Sequence, residues 1–195
     1  MKNNRFDKFH RHYDDFTRFF KLDNHEEIIN LVQENARGKQ LFIADIGGGT
    51  GLLADELLKL GHKVTIIDPA RKMTTIASHR NPEIKVLNLP FEETSFTEAF
   101  DLIILKDCFH HTRAQDFILD KIYLSLKKNG LVLIQEFLPQ SLYGKLIFTF
   151  ERLVIEKSYP VTPQKLYEMM GKANFKSEIF YLNKRDYLIV GVKNE

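Results

Sequence analysis

An apolar run that ends in a carboxylate, passes through a cluster of glycines and re-emerges as a helical pattern leaves a chain few folds to choose from. Leu41 to Ile46 has the composition of a buried strand and contains Asp45. Gly47, Gly48, Gly49, Thr50 and Gly51 follow as a tight turn whose bare backbone a ligand can approach, and Leu52 to Leu60 continues as a helix. Val64 to Ile67 is a second strand, closed by Asp68 and Pro69. An acid at the carboxyl end of that neighbouring strand can accept hydrogen bonds from both hydroxyls of a ribose, while the glycine turn passes beneath the rest of the ligand. The geometry suits an adenosine.

The spacing of the glycines selects among adenosine ligands. A dinucleotide fingerprint has the form Gly-x-Gly-x-x-Gly, with the helix N-terminus facing a pyrophosphate. The best such register here, Gly49-x-Gly51-x-x-Ala54, leaves Asp45 without a role. A carboxylate beside a pyrophosphate would be repelled. It would instead attract an ammonium group such as that of a methionyl moiety, directly or through water.

At these residues the sequence resembles the class I S-adenosylmethionine-dependent methyltransferases, whose first motif is an acid-x-Gly-x-Gly-x-Gly run matched by Asp45, Gly47, Gly49 and Gly51. The resemblance implies that Asp68 is the ribose-binding acid and that Met73 lies against the adenine. Ile46, Pro69 and Leu89 would line the same cofactor. Asn88 stands nearest the position where the family has an aspartate reaching the adenine amino group. Phe100 to Leu105 matches the family's fourth strand, and Asn129 to Ile134 its fifth, entered through a glycine turn. Lys106 aligns with the position whose backbone faces the methionyl part, and Tyr13 of a Tyr-Asp pair with a tyrosine close to the cofactor. The implied fold is α/β: a Rossmann-like doubly wound sheet, mostly parallel with a C-terminal antiparallel strand pair. A histidine pair after the fourth strand resembles the branch that includes quinone-biosynthesis enzymes. The implied activity is methyl transfer to a small organic acceptor, of apolar or aromatic character. An RNA or protein acceptor, and a non-catalytic cofactor-binding scaffold, are the alternatives.

Composition limits the partners. With 195 residues and 44% apolar content the chain can bury one good core, so we expect a single domain over residues 1–195. A net charge of +2 with interspersed signs gives no footprint for a nucleic-acid backbone. Cys108 is the sole cysteine, which excludes an internal disulfide and a cysteine-rich zinc site and makes a reducing cytoplasm the default. No apolar run is long enough to span a bilayer. His10-x-His12 has no partner ligands at suitable spacing, so no metal is expected.

Strand and helix alternate from Leu41 to Phe137, which indicates βαβ units and a parallel sheet. Beyond Phe137, apolar residues at 142, 143, 146, 147, 150, 153 and 154 form one broad face of a helix over 141–157. Thr162 and Pro163 start a further helix to Lys172, and strands near 176–182 and 187–192 close the chain as a hairpin. Lys127 and Lys128 read as a solvated helix terminus.

Two segments, 1–22 and 139–172, are candidate lids. The first carries an aromatic stripe of Phe6, Phe9, Tyr13, Phe16 and Phe20, equally suited to packing on the sheet. In the second, Phe148 and Ile155 fall off the main face, which would fit an apolar acceptor, a homodimer contact or ordinary packing. A sulfonium already activates its methyl group, so orientation and exclusion of water supply much of the acceleration and a general base is optional. His110 and His111, at the carboxyl edge of the fourth strand, are the candidates for that base; a helix-entry histidine held by a carboxylate is the structural alternative.

Overall fold

The computed structural model describes residues 24–154 and 158–194. Tyr13, the aromatic stripe, the candidate lid 1–22 and Ile155 lie outside the described residues. The strands form one seven-stranded sheet in the order Lys85–Leu87, Lys63–Ile67, Phe42–Ile46, Phe100–Lys106, Leu126–Phe137, Asp186–Lys193, Phe175–Tyr181, mostly parallel with an antiparallel C-terminal strand pair and flanked by helices, as expected. The chain divides into two compact units, one ending at Phe91 and the other beginning at Glu92. Among the described residues no helix is long and apolar enough to cross a membrane.

The first unit holds α1 (Glu26–Ala36), β1 (Phe42–Ile46), α2 (Leu52–Lys59), β2 (Lys63–Ile67), α3 (Arg71–Arg80) and β3 (Lys85–Leu87). Helix α1 buries Ile28, Val32 and Ala36, one residue per turn, and stops where Arg37 turns left-handed. β1 pairs in parallel with β2 from Phe42↔Lys63 to Ile46↔Ile67, and β2 with β3 from Thr65↔Lys85. Strands so enclosed read as continuous apolar runs, which is why they were legible without alternation. Gly51 caps α2 at φ +76°, and a Cβ there would lie 2.8 Å from the Ala77 Cβ on α3. The third motif glycine therefore lets the turn pack against α3.

The second unit runs through β4 (Phe100–Lys106), α4 (Gln115–Ser125), β5 (Leu126–Phe137), α5 (Leu142–Val154), α6 (Pro163–Lys172), β6 (Phe175–Tyr181) and β7 (Asp186–Lys193). β5 begins three residues earlier than the glycine turn predicts: Phe100 pairs with Leu126 and Leu102 with Leu131, so the expected turn is an irregularity inside the strand. Lys127 accordingly lies in β5 and pairs with Asp101 at 2.9 and 3.0 Å, rather than serving as a helix terminus. β5 and β7 are antiparallel from Leu131↔Val192 to Phe137↔Asp186, and β6 adds to β7 as the predicted hairpin. Thr162 caps α6 by accepting from the Lys165 N–H, with Pro163 in the first turn, as expected.

Helix α5 departs from the sequence reading. Leu142, Leu146 and Leu153 are exposed, whereas Ile147 and Glu151 are buried. The inward face is thus the one that carries a carboxylate.

Gly51→Ala adds a methyl group at a left-handed φ and against Ala77, and is expected to cost about 3 kcal/mol of stability. Gly61→Ala meets nothing within 4 Å at φ +88°, so it should carry only the backbone strain, about 1–2 kcal/mol. Urea denaturation of both variants checks this. Equal losses would show that the turn does not depend on its contact with α3.

Candidate functional site

The glycine turn of the first unit is tied to the end of β2. Gly47 N–H donates to the Ile67 carbonyl at 2.9 Å, and Gly51 N–H closes the turn on the Gly48 carbonyl at 2.9 Å. The buried Asp68 carboxylate accepts from Gly49 N–H at 3.1 Å through Oδ2 and from Ala70 N–H at 2.7 Å through Oδ1. A carboxylate oxygen carries two lone pairs, and these two bonds use one on each oxygen. Asp45, also buried, sits beneath Gly48, where a Cβ would come within 2.5 Å of its Oδ2. Gly48, the glycine the motif ignores, is what leaves room for that carboxyl group. The Met73 Cε lies 3.4 Å from where a Gly49 Cβ would stand.

The fold therefore gathers Asp45, Gly47, Gly49, Asp68 and Met73 around one turn. Gly51 faces α3 instead, Ile46 is buried, Pro69 is exposed and Leu89 is half-buried. Asn88 donates its side-chain amide to the Thr74 hydroxyl, so a hydrogen bond from a ligand amino group would be taken by its carbonyl oxygen. Thr74 was not singled out in the sequence. One signal was available: it neighbours Met73 on the buried face of α3.

In the second unit the polar groups collect after β4 and at the end of β5. Lys106 Nζ bonds Asp107 Oδ2 at 2.9 Å, and Asp107 takes a left-handed φ of +53°. Cys108 is half-buried and precedes a short 3-10 turn over Phe109–His111. Glu136 on β5 organises that turn: Oε1 accepts from the N–H groups of Phe109 at 2.7 Å and His110 at 3.3 Å, and Oε2 lies 2.5 Å from His110 Nδ1. On the other side of the ring His110 Nε2 is 3.2 Å from Glu151 Oε2, and His111 Nε2 is 3.8 Å from Glu151 Oε1. The Ser158 hydroxyl donates to Glu151 Oε2 at 3.0 Å. Phe148 meets His110 edge-on with ring centroids 5.1 Å apart, which accounts for its place off the main apolar face of α5.

Burial opposes charge on His110, but the carboxylates of Glu136 and Glu151 outweigh it and hold the imidazole up to about 10. Burial and the charge of His110 push His111 down to about 3, against the pull of Glu151. The histidines sit in the carboxylate-held arrangement, with both carboxylates coming from distant parts of the chain. Burial pushes Asp107 up to about 6; Lys106 opposes this, and Glu136 and Asp186 add to it. Burial also raises the Tyr143 hydroxyl, although Arg185 stacks 4.7 Å above its ring.

Residues 18–178 match the family described as a methyltransferase domain. The chain belongs to that family. An uncharacterized methyltransferase of Alkaliphilus oremlandii is 29% identical over 63% of this chain and 50% of its own length. The chain thus spans about half the length of that curated relative, and 43% of one from Staphylococcus carnosus. A ubiquinone biosynthesis O-methyltransferase of Rickettsia prowazekii is 27% identical over 83% of this chain and 71% of its own length. Among solved structures, a 1,6-didemethyltoxoflavin-N1-methyltransferase of Burkholderia thailandensis superposes with a TM-score of 0.70 at 18% identity, covering 96% of this chain and 86% of that one. At that identity the likeness shows the fold.

Asp107 supplies a pH test within this family member. Its folded-state pKa is about 6, above the ordinary 3.8, so the neutral carboxyl is the form the fold favours. That contribution is present in full below about pH 4 and is lost as pH rises through about 6. Asn is neutral throughout and tolerates a left-handed φ. Asp107→Asn should therefore match wild type near pH 4 and exceed it by about 1–3 kcal/mol at pH 8. Thermal unfolding across that range measures the difference, and a variant with an unaltered pH profile would contradict the buried-carboxyl account.

Proposed function

We propose that the chain transfers the methyl group of S-adenosylmethionine to a small organic acceptor. The observation that carries this reading is the glycine turn over the Asp45 carboxylate, with the Asp68 carboxylate clamped to it at Gly49. The donor set fits the cofactor. Asp68 offers lone pairs to a ribose diol, Asp45 a negative charge to an ammonium group, and Asn88 a carbonyl oxygen to an amino group. Met73 supplies an apolar surface for the adenine. S-adenosylmethionine, when bound, brings an already activated methyl group, and what remains for the protein is to orient the acceptor and keep water out.

Family membership, together with a relative named as a ubiquinone biosynthesis O-methyltransferase and a structural neighbour named as a 1,6-didemethyltoxoflavin-N1-methyltransferase, supports a small molecule as the acceptor. The charge balance of +2 supports the same reading over a nucleic acid. We infer further that Cys108, the sole cysteine, remains a thiol in a reducing compartment. Comparing metabolites with and without the encoding gene would name the acceptor.

Asp68→Ala removes the proposed acceptor of both ribose hydroxyls. Charge-assisted hydrogen bonds of this kind are worth about 1.5–3 kcal/mol each, so calorimetric titration should show S-adenosylmethionine affinity reduced at least about tenfold. Asp68→Asn keeps an oxygen for one backbone N–H and should fall in between. Wild-type affinity in a folded Asp68→Ala protein would remove this site. Binding of NAD by wild type at comparable strength would favour hydride transfer instead.

A further inference from the structure

The two buried glutamates that grip His110 carry more negative charge than one imidazolium can balance. Glu136 and Glu151 are both buried, one on each side of the ring. A proton on His110 compensates one of them. His111 also turns its Nε2 toward the same Glu151 carboxylate, at 3.8 Å. His110 Nε2 does not form a well-aligned hydrogen bond, although Glu151 Oε2 lies 3.2 Å away.

We propose that His110, His111 and Glu151 bind one divalent transition-metal ion of the zinc class. One donor atom from each of the three lies within 4.8 Å of the others. Tetrahedral zinc with bonds of about 2.0–2.1 Å holds neighbouring ligand atoms roughly 3.3–3.5 Å apart. His110 Nε2 lies 3.2 Å from one Glu151 oxygen and His111 Nε2 3.8 Å from the other, and a single donor atom from each residue falls within 4.8 Å of the rest, so the donors would draw together by up to about 1.4 Å to seat an ion. The second nitrogen of His110 is already held by Glu136 at 2.5 Å. A carboxylate on the remote nitrogen is the usual outer partner of a metal-bound imidazole, since it fixes the tautomer and makes the other nitrogen a better donor. Binding would displace the His110 proton, and the two charges on the metal would then match the two buried glutamates.

The donor set also selects the metal. Two imidazoles and a carboxylate suit zinc and its neighbours, whereas magnesium and calcium prefer oxygen throughout. Three protein ligands leave a fourth position open, the pattern of zinc sites that bind a further ligand rather than simply brace a fold. Residue order alone does not signal the site, because Glu151 is remote in the chain from the histidines and stands on what reads as the outer edge of an apolar helix.

Chelator-treated full-length protein, titrated calorimetrically with zinc chloride near pH 7.5, should bind one equivalent tightly. His111→Ala and Glu151→Gln should each weaken it by about a hundredfold or more, and Glu136→Gln, which keeps an oxygen for the Phe109 and His110 N–H groups while altering the outer partner, by about 10–100-fold. Cobalt substitution should give the visible absorption of a four-coordinate nitrogen and oxygen site in wild type, and lose it in His111→Ala. Zinc affinity equal in wild type and in both ligand variants, each shown folded by circular dichroism, would overturn the site, as would no binding at all. S-adenosylmethionine affinity measured on the same samples separates the two readings. Cofactor binding without zinc binding sinks only the metal site, and zinc binding without cofactor binding sinks only the methyl-transfer proposal.

Discussion

The Asp68 carboxylate at the end of β2 is the constraint on which the first unit's site depends. Burying a carboxylate is costly unless its oxygens are met by donors, and here two backbone N–H groups meet them. One belongs to Gly49 in the turn after β1, the other to Ala70 at the threshold of α3. A single side chain thus joins a turn, a strand end and a helix entry. The group that organises the turn is also the one proposed to read the ribose.

The same physics recurs in the second unit with another acid. Glu136, at the end of β5, collects the N–H groups of Phe109 and His110 and the His110 ring. It fixes the segment after β4 as the Asp68 carboxylate fixes the glycine turn. In each unit a strand-end carboxylate acts within its own polypeptide neighbourhood, where donors are plentiful and water is scarce. Glu151 then sets the rotation of α5. Its pairing with His110, His111 and Ser158 keeps a charged residue buried while three leucines of the helix stay exposed. Ion pairing with His110 and the hydrogen bond from Ser158 together outweigh the roughly 25 cal/mol per Å2 that the leucines would gain by burial.

The alternation from β1 to β5, the glycine turn with Asp45 and Asp68, the Thr162 cap and the C-terminal hairpin were all legible in the sequence. Each rests on local rules: apolar runs for enclosed strands, glycine where φ is positive, and threonine with proline at a helix start. The bulge that draws Leu126 and Lys127 into β5, the role of Gly48 in seating Asp45, the tie between Asn88 and Thr74 and the inward turn of Glu151 required the tertiary structure. These depend on pairs remote in the chain. No window of sequence contains both Glu151 and His110, and helical periodicity ranks a glutamate as a surface residue until a buried cation or imidazole is placed beside it. Where the backbone must turn and which strand ends carry acids follow from the order of residues alone. The tertiary structure decided which donors those acids meet, because a hydrogen bond is made by position in space and periodicity records only position along the chain.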